Sequence, residues 1–230
     1  AMILTDDNFA TIIKAVANGR NVYKNIKNAI LFLLSGNMAG ILAVLYTSLA
    51  ALPVPFQPVH LLFINLLTDS LPALAIGMEP AERDVLSEKP RNPKGGILER
   101  RFMALLLGQG ALIAVCTMIS FEVGLKESAA LASTMAFATL TLARLFHGFN
   151  CRSRHSIVKI GFRRNWYSLG AFALGVLLLA LVLFVPALKP LFEVETMNGM
   201  QLGCVGVMAV LPTFVIQNFK VVREVFDREK

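Results

Sequence analysis

The stretch NWYSLGAFALGVLLLALVLFVPAL, residues 165–188, decides the fold class of this chain. It carries no charge over a length greater than the roughly 20 apolar residues that a helix needs to cross a hydrocarbon core of about 30 Å. Similar uncharged runs cover residues 102–121 and 196–219. Only 16% of the 230 residues are charged, which is low for a soluble domain. These runs predict an integral membrane protein.

Three further spans complete the predicted bundle. Residues 28–78 contain a single acidic residue, Asp69, and are long enough for two spans. The proline-rich segment 52–58 cannot continue a helix, because prolines lack the N–H and clash with the preceding turn, so it predicts a hairpin loop. A weaker span runs from Ser128 to about His147, with Arg144 near its end. The sequence therefore predicts an all-α, polytopic bundle of six transmembrane helices.

The distribution of positive charge predicts the orientation of this bundle. With six spans, all of the 22 Lys and Arg residues except Lys126 and Lys189 fall on one side. The positive-inside rule then places both termini and the loops 79–101 and 148–165 in the cytoplasm. The net charge of +7 is thus explained by topology and contact with anionic lipid headgroups, and it does not predict a nucleic-acid partner.

The region before the first span reads as a helix that continues into the membrane. Apolar residues within 8–27 follow the 3.6-residue period, and only Gly19 weakens the pattern. Asp6, Asp7 or Asn8 is expected to cap its start. The start of the chain has no signal-peptide pattern, and we expect it to continue a larger protein.

One group of side chains in the second span predicts a cation site. Asn65, Thr68 and Asp69 have helical spacing, so three oxygen-bearing side chains are expected on one face. Pro72 cannot donate to the Thr68 carbonyl, which leaves that oxygen available. A hard cation such as calcium takes carboxylate, amide and carbonyl oxygens. The alternative is a polar seam between packed helices, with Asp69 neutral or paired.

Asn37 in the first span is a further candidate ligand. It lies within Ser35–Gly40, where small residues permit close helix approach, and it is expected to face Asp69. Helix packing through its amide is the alternative. The three cysteines have no metal-ligand spacing and are expected to be small apolar fillers.

Several motifs resemble the P-type calcium pumps of the sarcoplasmic-reticulum and bacterial kind. The resemblance covers nearly the whole chain, and the first two spans are its specific part. It rests on Thr5-Asp6-Asp7-Asn8-Phe9, Gly19-Arg20, Asn37, Asn65-Leu66-Leu67-Thr68-Asp69-Ser70-Leu71-Pro72, Glu79-Pro80 and Lys89-Pro90-Arg91. It implies that Asn65 and Asp69 ligate a retained calcium, and that Thr68 and Asn37 match ligands of a second ion.

The sequence departs from the two-calcium pumps at two positions. Gly40 and Arg144 stand where those pumps have glutamates, so both carboxylates of the second ion are missing. One interpretation of Arg144 is snorkelling to the headgroups from a position about three residues inside the span. The other is that its guanidinium enters the space left at Gly40, pairs with Asp69 or the Asn37 amide, and substitutes for the second ion.

The resemblance also implies a division of the chain. Residues 1–27 correspond to the end of a phosphorylation domain and a stalk helix, and 28–78 to the hairpin with the ion site. Residues 79–101 form a cytoplasmic loop, 102–219 four further spans, and 220–230 a cytoplasmic tail.

The predicted function is the membrane transport portion of an ATP-driven cation pump, exporting calcium with one ion per ATP. ATP and magnesium are expected to bind outside this chain, in the missing N-terminal part of the same pump. The chain is expected to be a multi-pass protein of the bacterial plasma membrane. Manganese, sodium or protons stay open as the ion, because oxygen ligands alone do not fix it. A passive or secondary six-helix carrier, or an accessory membrane subunit, is the alternative.

Overall fold

The computed structural model describes residues 9–81, 86 and 96–228. In these residues the chain is helical, with short turns and no strand. The helices are α1 (Phe9–Leu49), α2 (Pro58–Phe63), a π-helical turn (Ile64–Thr68), α3 (Ser70–Gly77), α4 (Arg100–Leu125), α5 (Ala129–Cys151), α6 (Ile157–Ile160), a 3₁₀ turn (Phe162–Arg164), α7 (Trp166–Phe184), α8 (Lys189–Phe192) and α9 (Gly199–Arg228).

The described residues contain six helical segments that are long and apolar enough to cross a membrane, which confirms the predicted fold class. The segment α2–α3, Pro58–Gly77, acts as one span despite its internal π-helical turn. The cytoplasmic assignment of both ends rests on the asymmetry of Lys and Arg and stays a prediction.

α1 is a single helix of 41 residues, as the periodicity predicted. At 1.5 Å per residue it is about 60 Å long, roughly twice the hydrocarbon thickness, so about half of its length extends beyond the hydrocarbon core. The expected caps Asp6, Asp7 and Asn8 and the motif Lys89-Pro90-Arg91 lie outside the described residues.

Two predicted boundaries differ from the structure. Pro58 starts α2, where the predicted loop included it, because the first turn of a helix needs no N–H from that position. α5 extends to Cys151 and passes the predicted end at His147. It continues because His147 and Asn150 find polar partners inside the bundle, on Ser35 of α1 and on Thr213 of α9.

α5 is the central helix of the bundle. It packs against α1, α4, α7 and α9, and almost all of its side chains are buried. Small residues from Ala129 to Ala143 allow these neighbours to approach on every side. Ser128 fixes its start, because the Ser128 hydroxyl accepts the Leu131 N–H at 3.0 Å. α5 has the lowest mean hydropathy and the largest buried share of the six spans, whereas α7 has the highest mean hydropathy and is mostly exposed.

Candidate cation site

The second span loses its α-helical hydrogen bonding next to Asp69. The Asp69 N–H reaches back five residues to the Ile64 carbonyl at 2.9 Å, and the Thr68 hydroxyl donates to the same oxygen at 3.0 Å. The Asn65 carbonyl receives the Ser70 hydroxyl at 3.4 Å. Pro72 has no N–H to offer to the Thr68 carbonyl. Irregular backbone at membrane depth is tolerated where it lines a cavity or is covered by protein.

The Asp69 carboxylate meets a guanidinium from α5. Arg144 Nη2 donates to Asp69 Oδ2, forming an ion pair that is almost entirely buried. The same nitrogen donates to Asn37 Oδ1 of α1 at 3.1 Å. Asp69 Oδ1 and Arg144 Nε are both buried and find no hydrogen-bond partner among the described residues. The pairing expected from the sequence is therefore present, and one carboxylate oxygen is left over.

The guanidinium lies against Gly36, and the expectation that it fills the space at Gly40 is wrong. A Cβ added to Gly36 would lie 2.5 Å from Arg144 Nε and 2.7 Å from Nη2. A Cβ added to Gly40 would meet no heavy atom within 4 Å. Gly36 precedes Gly40 by four residues, about one helical turn of α1.

Burial also contradicts the snorkelling interpretation of Arg144. The residue is 2% exposed, and α5 continues for two more turns to Cys151. A snorkelling arginine would send its charged end to the headgroups. Here the charged end lies between α1 and the second span.

The candidate ligands differ in exposure. Thr68 and Asp69 are buried, whereas Asn37 and Asn65 are exposed on the surface of the described bundle. The single polar face expected for Asn65, Thr68 and Asp69 is thus split, because the π-helical turn changes the rotation per residue. The described residues hold no cluster of three His, Cys, Asp or Glu side chains. What the structure brings together is one buried carboxylate, Asp69, with the Arg144 guanidinium, and Asn37 joins them through the same guanidinium nitrogen.

A second Arg–carboxylate pair was missed by the sequence reasoning. Arg152 donates from Nε and Nη2 to the two oxygens of Glu79 at 2.8 and 3.1 Å, and both residues are buried. Asn165 Nδ2 donates to Glu79 Oε2 at 2.8 Å. Arg152 was expected in the cytoplasmic loop 148–165. The only sequence signal was the Glu79-Pro80 dipeptide, which carries no information about its partner.

Comparisons with known proteins find similarity over most of the chain. A family model described as "Cation transporting ATPase, C-terminus" matches residues 53–222. The chain is 41% identical over 219 residues to the "Calcium-transporting ATPase" of Bacillus subtilis (strain 168), covering 94% of this chain and 25% of that protein.

Two other relatives are also similar over most of the chain. The "Calcium-transporting ATPase 1" of Lactococcus lactis subsp. lactis (strain IL1403) is 40% identical over 230 residues, covering 99% of this chain and 26% of that protein. The "Calcium-transporting ATPase type 2C member 2" of Rattus norvegicus is 34% identical over 208 residues, covering 87% and 22%. The chain spans about a quarter of the length of the curated relatives it matches. It is an integral multi-pass membrane protein that belongs to the cation-transporting ATPase family, of which it matches the C-terminal region.

Proposed function

We propose that this chain is the membrane transport part of an ATP-driven P-type pump that moves calcium, one ion per cycle. The observation that carries the proposal is the buried Asp69 carboxylate at the π-helical turn, with Oδ1 unpartnered and Arg144 on its other oxygen. ATP and magnesium bind outside this chain, in the remainder of the pump. The bacterial plasma membrane is the proposed location. Membrane lipid is the proposed partner of the chain, and no nucleic-acid partner is proposed.

The donor chemistry supports a hard cation as the transported ion. Asp69 Oδ1 supplies negative charge, and the Thr68 carbonyl, to which Pro72 offers no N–H, supplies a neutral oxygen. The Asn65 amide, which is exposed in this structure, would have to turn inward to join them. Calcium takes six to eight such oxygens, so ligands from outside the chain would complete its shell. The relatives named above are calcium-transporting, which supports calcium over other hard cations.

The position of Arg144 supports a single ion. Its guanidinium bridges Asn37 and Asp69, the place where a second cation would need an anionic ligand. Gly40 has no side chain that could supply a carboxylate to a second ion. A fixed positive charge repels a second cation and compensates Asp69 when the site is empty.

The family match and the length of α1 support a pump over a passive or secondary carrier or an accessory subunit. We propose that the N-terminal half of α1 is the stalk that joins the spans to the phosphorylation domain. Residues 28–78 would then hold the ion site. Residues 79–101 would be a cytoplasmic loop, 102–219 four further spans, and 220–230 a cytoplasmic tail.

The substitution Asp69→Asn in the intact pump tests the proposal. It keeps the shape of the side chain and removes the only charged ligand, so we expect calcium affinity to fall by about a hundredfold or more, given how strongly ligand charge tunes calcium affinity. The measurement is calcium-dependent phosphorylation from ATP in membranes that contain equal amounts of inserted protein.

Glu122→Gln is the matched control. Glu122 also lies in a span, but near its end, where it accepts the Tyr46 hydroxyl at 2.8 Å in an exposed position. We expect nearly wild-type phosphorylation from this variant. Near-normal calcium affinity in Asp69→Asn would place the site elsewhere and contradict the proposal.

A further inference from the structure

Three asparagines form a ladder on one face of α1. Asn21, Asn25 and Asn28 are spaced four and three residues apart, and all three are buried. Asn25 Nδ2 donates to the Gly77 carbonyl at 3.1 Å and to the Glu79 carbonyl at 2.8 Å. Asn21 Nδ2 donates to the Glu79 carbonyl at 3.1 Å, whereas Asn28 Nδ2 donates to the Arg152 carbonyl at 3.1 Å. Asn21 and Asn25 thus bind the end of α3, and Asn28 binds the end of α5.

These amides cap the C-terminal end of α3. The last carbonyls of a helix have no partner within the helix, and here side chains from other helices provide one. Asn25 donates to the Gly77 carbonyl. Asn165, at the start of α7, donates to the Ala75 carbonyl at 2.8 Å. The end of α3 is therefore attached to α1 and α7 through its own backbone.

The side chain of Glu79 strengthens the same attachment. It receives two bonds from Arg152 and one from Asn165, so α5 and α7 meet on one carboxylate. Arg152 Nη1 also donates to the Phe162 carbonyl at 3.3 Å. A buried polar network whose members are satisfied in this way is rigid.

The other end of α3 is attached much less firmly. α3 has only eight residues and follows the π-helical turn, where the Asp69 N–H reaches back to Ile64. Pro72 removes one more hydrogen bond between α3 and the preceding turn. The backbone connection from α2 to α3 is thus weakened next to Asp69, while the far end of α3 is fixed to α1.

We infer that α3 moves with α1, and that Asn25 and Asn21 are positioning residues for Asp69. The inference rests on the proposed function: a displacement of α1 by the phosphorylation domain would pull the end of α3 through the two asparagines. Because α3 is short and separated from α2 by the π-helical turn, Asp69 would follow that displacement. Asn28 is also a buried asparagine of α1, but it donates to the Arg152 carbonyl at the end of α5 and makes no hydrogen bond to the end of α3 itself.

A series of leucine substitutions in the intact pump tests the inference. Leucine has the same number and branching of side-chain heavy atoms as asparagine and removes its amide donor and acceptor. The measurement is calcium uptake per ATP hydrolysed in reconstituted vesicles, together with the calcium concentration for half-maximal phosphorylation. We expect Asn25→Leu to lower the transport ratio by about tenfold, the effect that two ordinary buried hydrogen bonds can have on an equilibrium. Asn21→Leu, which removes one bond, is expected to have a smaller effect.

Asn28→Leu is the matched control, and we expect it to keep the wild-type transport ratio. A positioning role predicts that calcium affinity for phosphorylation is nearly unchanged in Asn25→Leu while transport per ATP falls. Equal ratios in Asn25→Leu and Asn28→Leu would overturn the inference. If Asn25→Leu does not accumulate in the membrane, a ratio in Asn21→Leu equal to that of Asn28→Leu would overturn it. A wild-type protein that transports no calcium would instead overturn the proposed function.

Discussion

Two buried Arg–carboxylate pairs join the second span to α5, and they differ in how completely their polar atoms are used. At the Glu79–Arg152 pair both carboxylate oxygens accept from the guanidinium, and Asn165 adds a third bond. At the Asp69–Arg144 pair a single nitrogen, Nη2, makes the contact. Asp69 Oδ1 and Arg144 Nε have no partner among the described residues.

Under the proposed function, this difference separates a structural pair from one that would exchange its partner. Buried polar groups in proteins are nearly always hydrogen-bonded, so each exception needs an explanation. A cation that takes over Asp69 would explain the free oxygen there. Both oxygens of the Glu79 carboxylate already accept hydrogen bonds, so neither is free to bind a cation.

Removing the guanidinium of the satisfied pair should have the largest effect. Arg152→Leu leaves Glu79 charged and buried, which typically costs about 3–5 kcal/mol of the free energy of unfolding. We expect little folded protein after detergent extraction, measured by size-exclusion chromatography over a temperature series. Arg154→Leu is the control, because Arg154 is exposed. Equal stability of the two variants would contradict the structural role of Arg152.

Removing the guanidinium of the incomplete pair should impair function more than folding. Arg144→Leu leaves Asp69 without its partner, but bound calcium is able to compensate the carboxylate. We expect a thermal stability that recovers on addition of calcium, by about 2.7 kcal/mol at a hundredfold excess over the dissociation constant. We also expect retained calcium binding with loss of turnover.

Arg144→Lys serves as the comparison, because it keeps the charge and loses the bridging geometry. Wild-type transport by Arg144→Leu would contradict the substitute role. Two bound calcium ions per phosphorylated wild-type pump would contradict the single-ion stoichiometry.

The smallest expected effect comes from a methyl group beside the guanidinium. Gly36→Ala places a Cβ within 2.7 Å of Arg144 Nη2, so the end of that side chain must shift. Gly40→Ala on the same helix meets nothing within 4 Å. We expect a two- to fivefold change in calcium affinity for Gly36→Ala, roughly 1 kcal/mol or less, and none for Gly40→Ala. Equal affinities in the calcium-dependent phosphorylation assay would show that the guanidinium is not held against Gly36.

The six spans could be predicted from sequence because hydrophobic length and proline breaks are local properties. Asp69 could be singled out for the same reason, as the acid deep within a span. The contact of Arg144 with Asp69 and Asn37 was one of two interpretations of an arginine in a span, and only the extent of α5 and the burial of Arg144 separate them. The role of these residues in ion binding stays a proposal.

The remaining features depend on contacts between residues far apart in the chain. Asn25 and Glu79 are separated by 54 positions, and Asn28 and Arg152 by 124. The spacing of the three asparagines was visible, but the carbonyls they bind belong to the end of another helix. The π-helical turn at Ile64–Thr68 was not predicted either, because its local sequence fits an ordinary helix that contains a proline.

The burial of α5 has a consequence for how the protein is made. Insertion of a span from the translocation channel into lipid depends on the hydrophobicity of that segment. α5 is the least apolar of the six spans, because its polar and small side chains face other helices instead of lipid. α4 precedes it by only three residues, 126–128, and is markedly more apolar. During biosynthesis the two would therefore enter the bilayer as a hairpin, with α4 supplying the insertion free energy that α5 lacks.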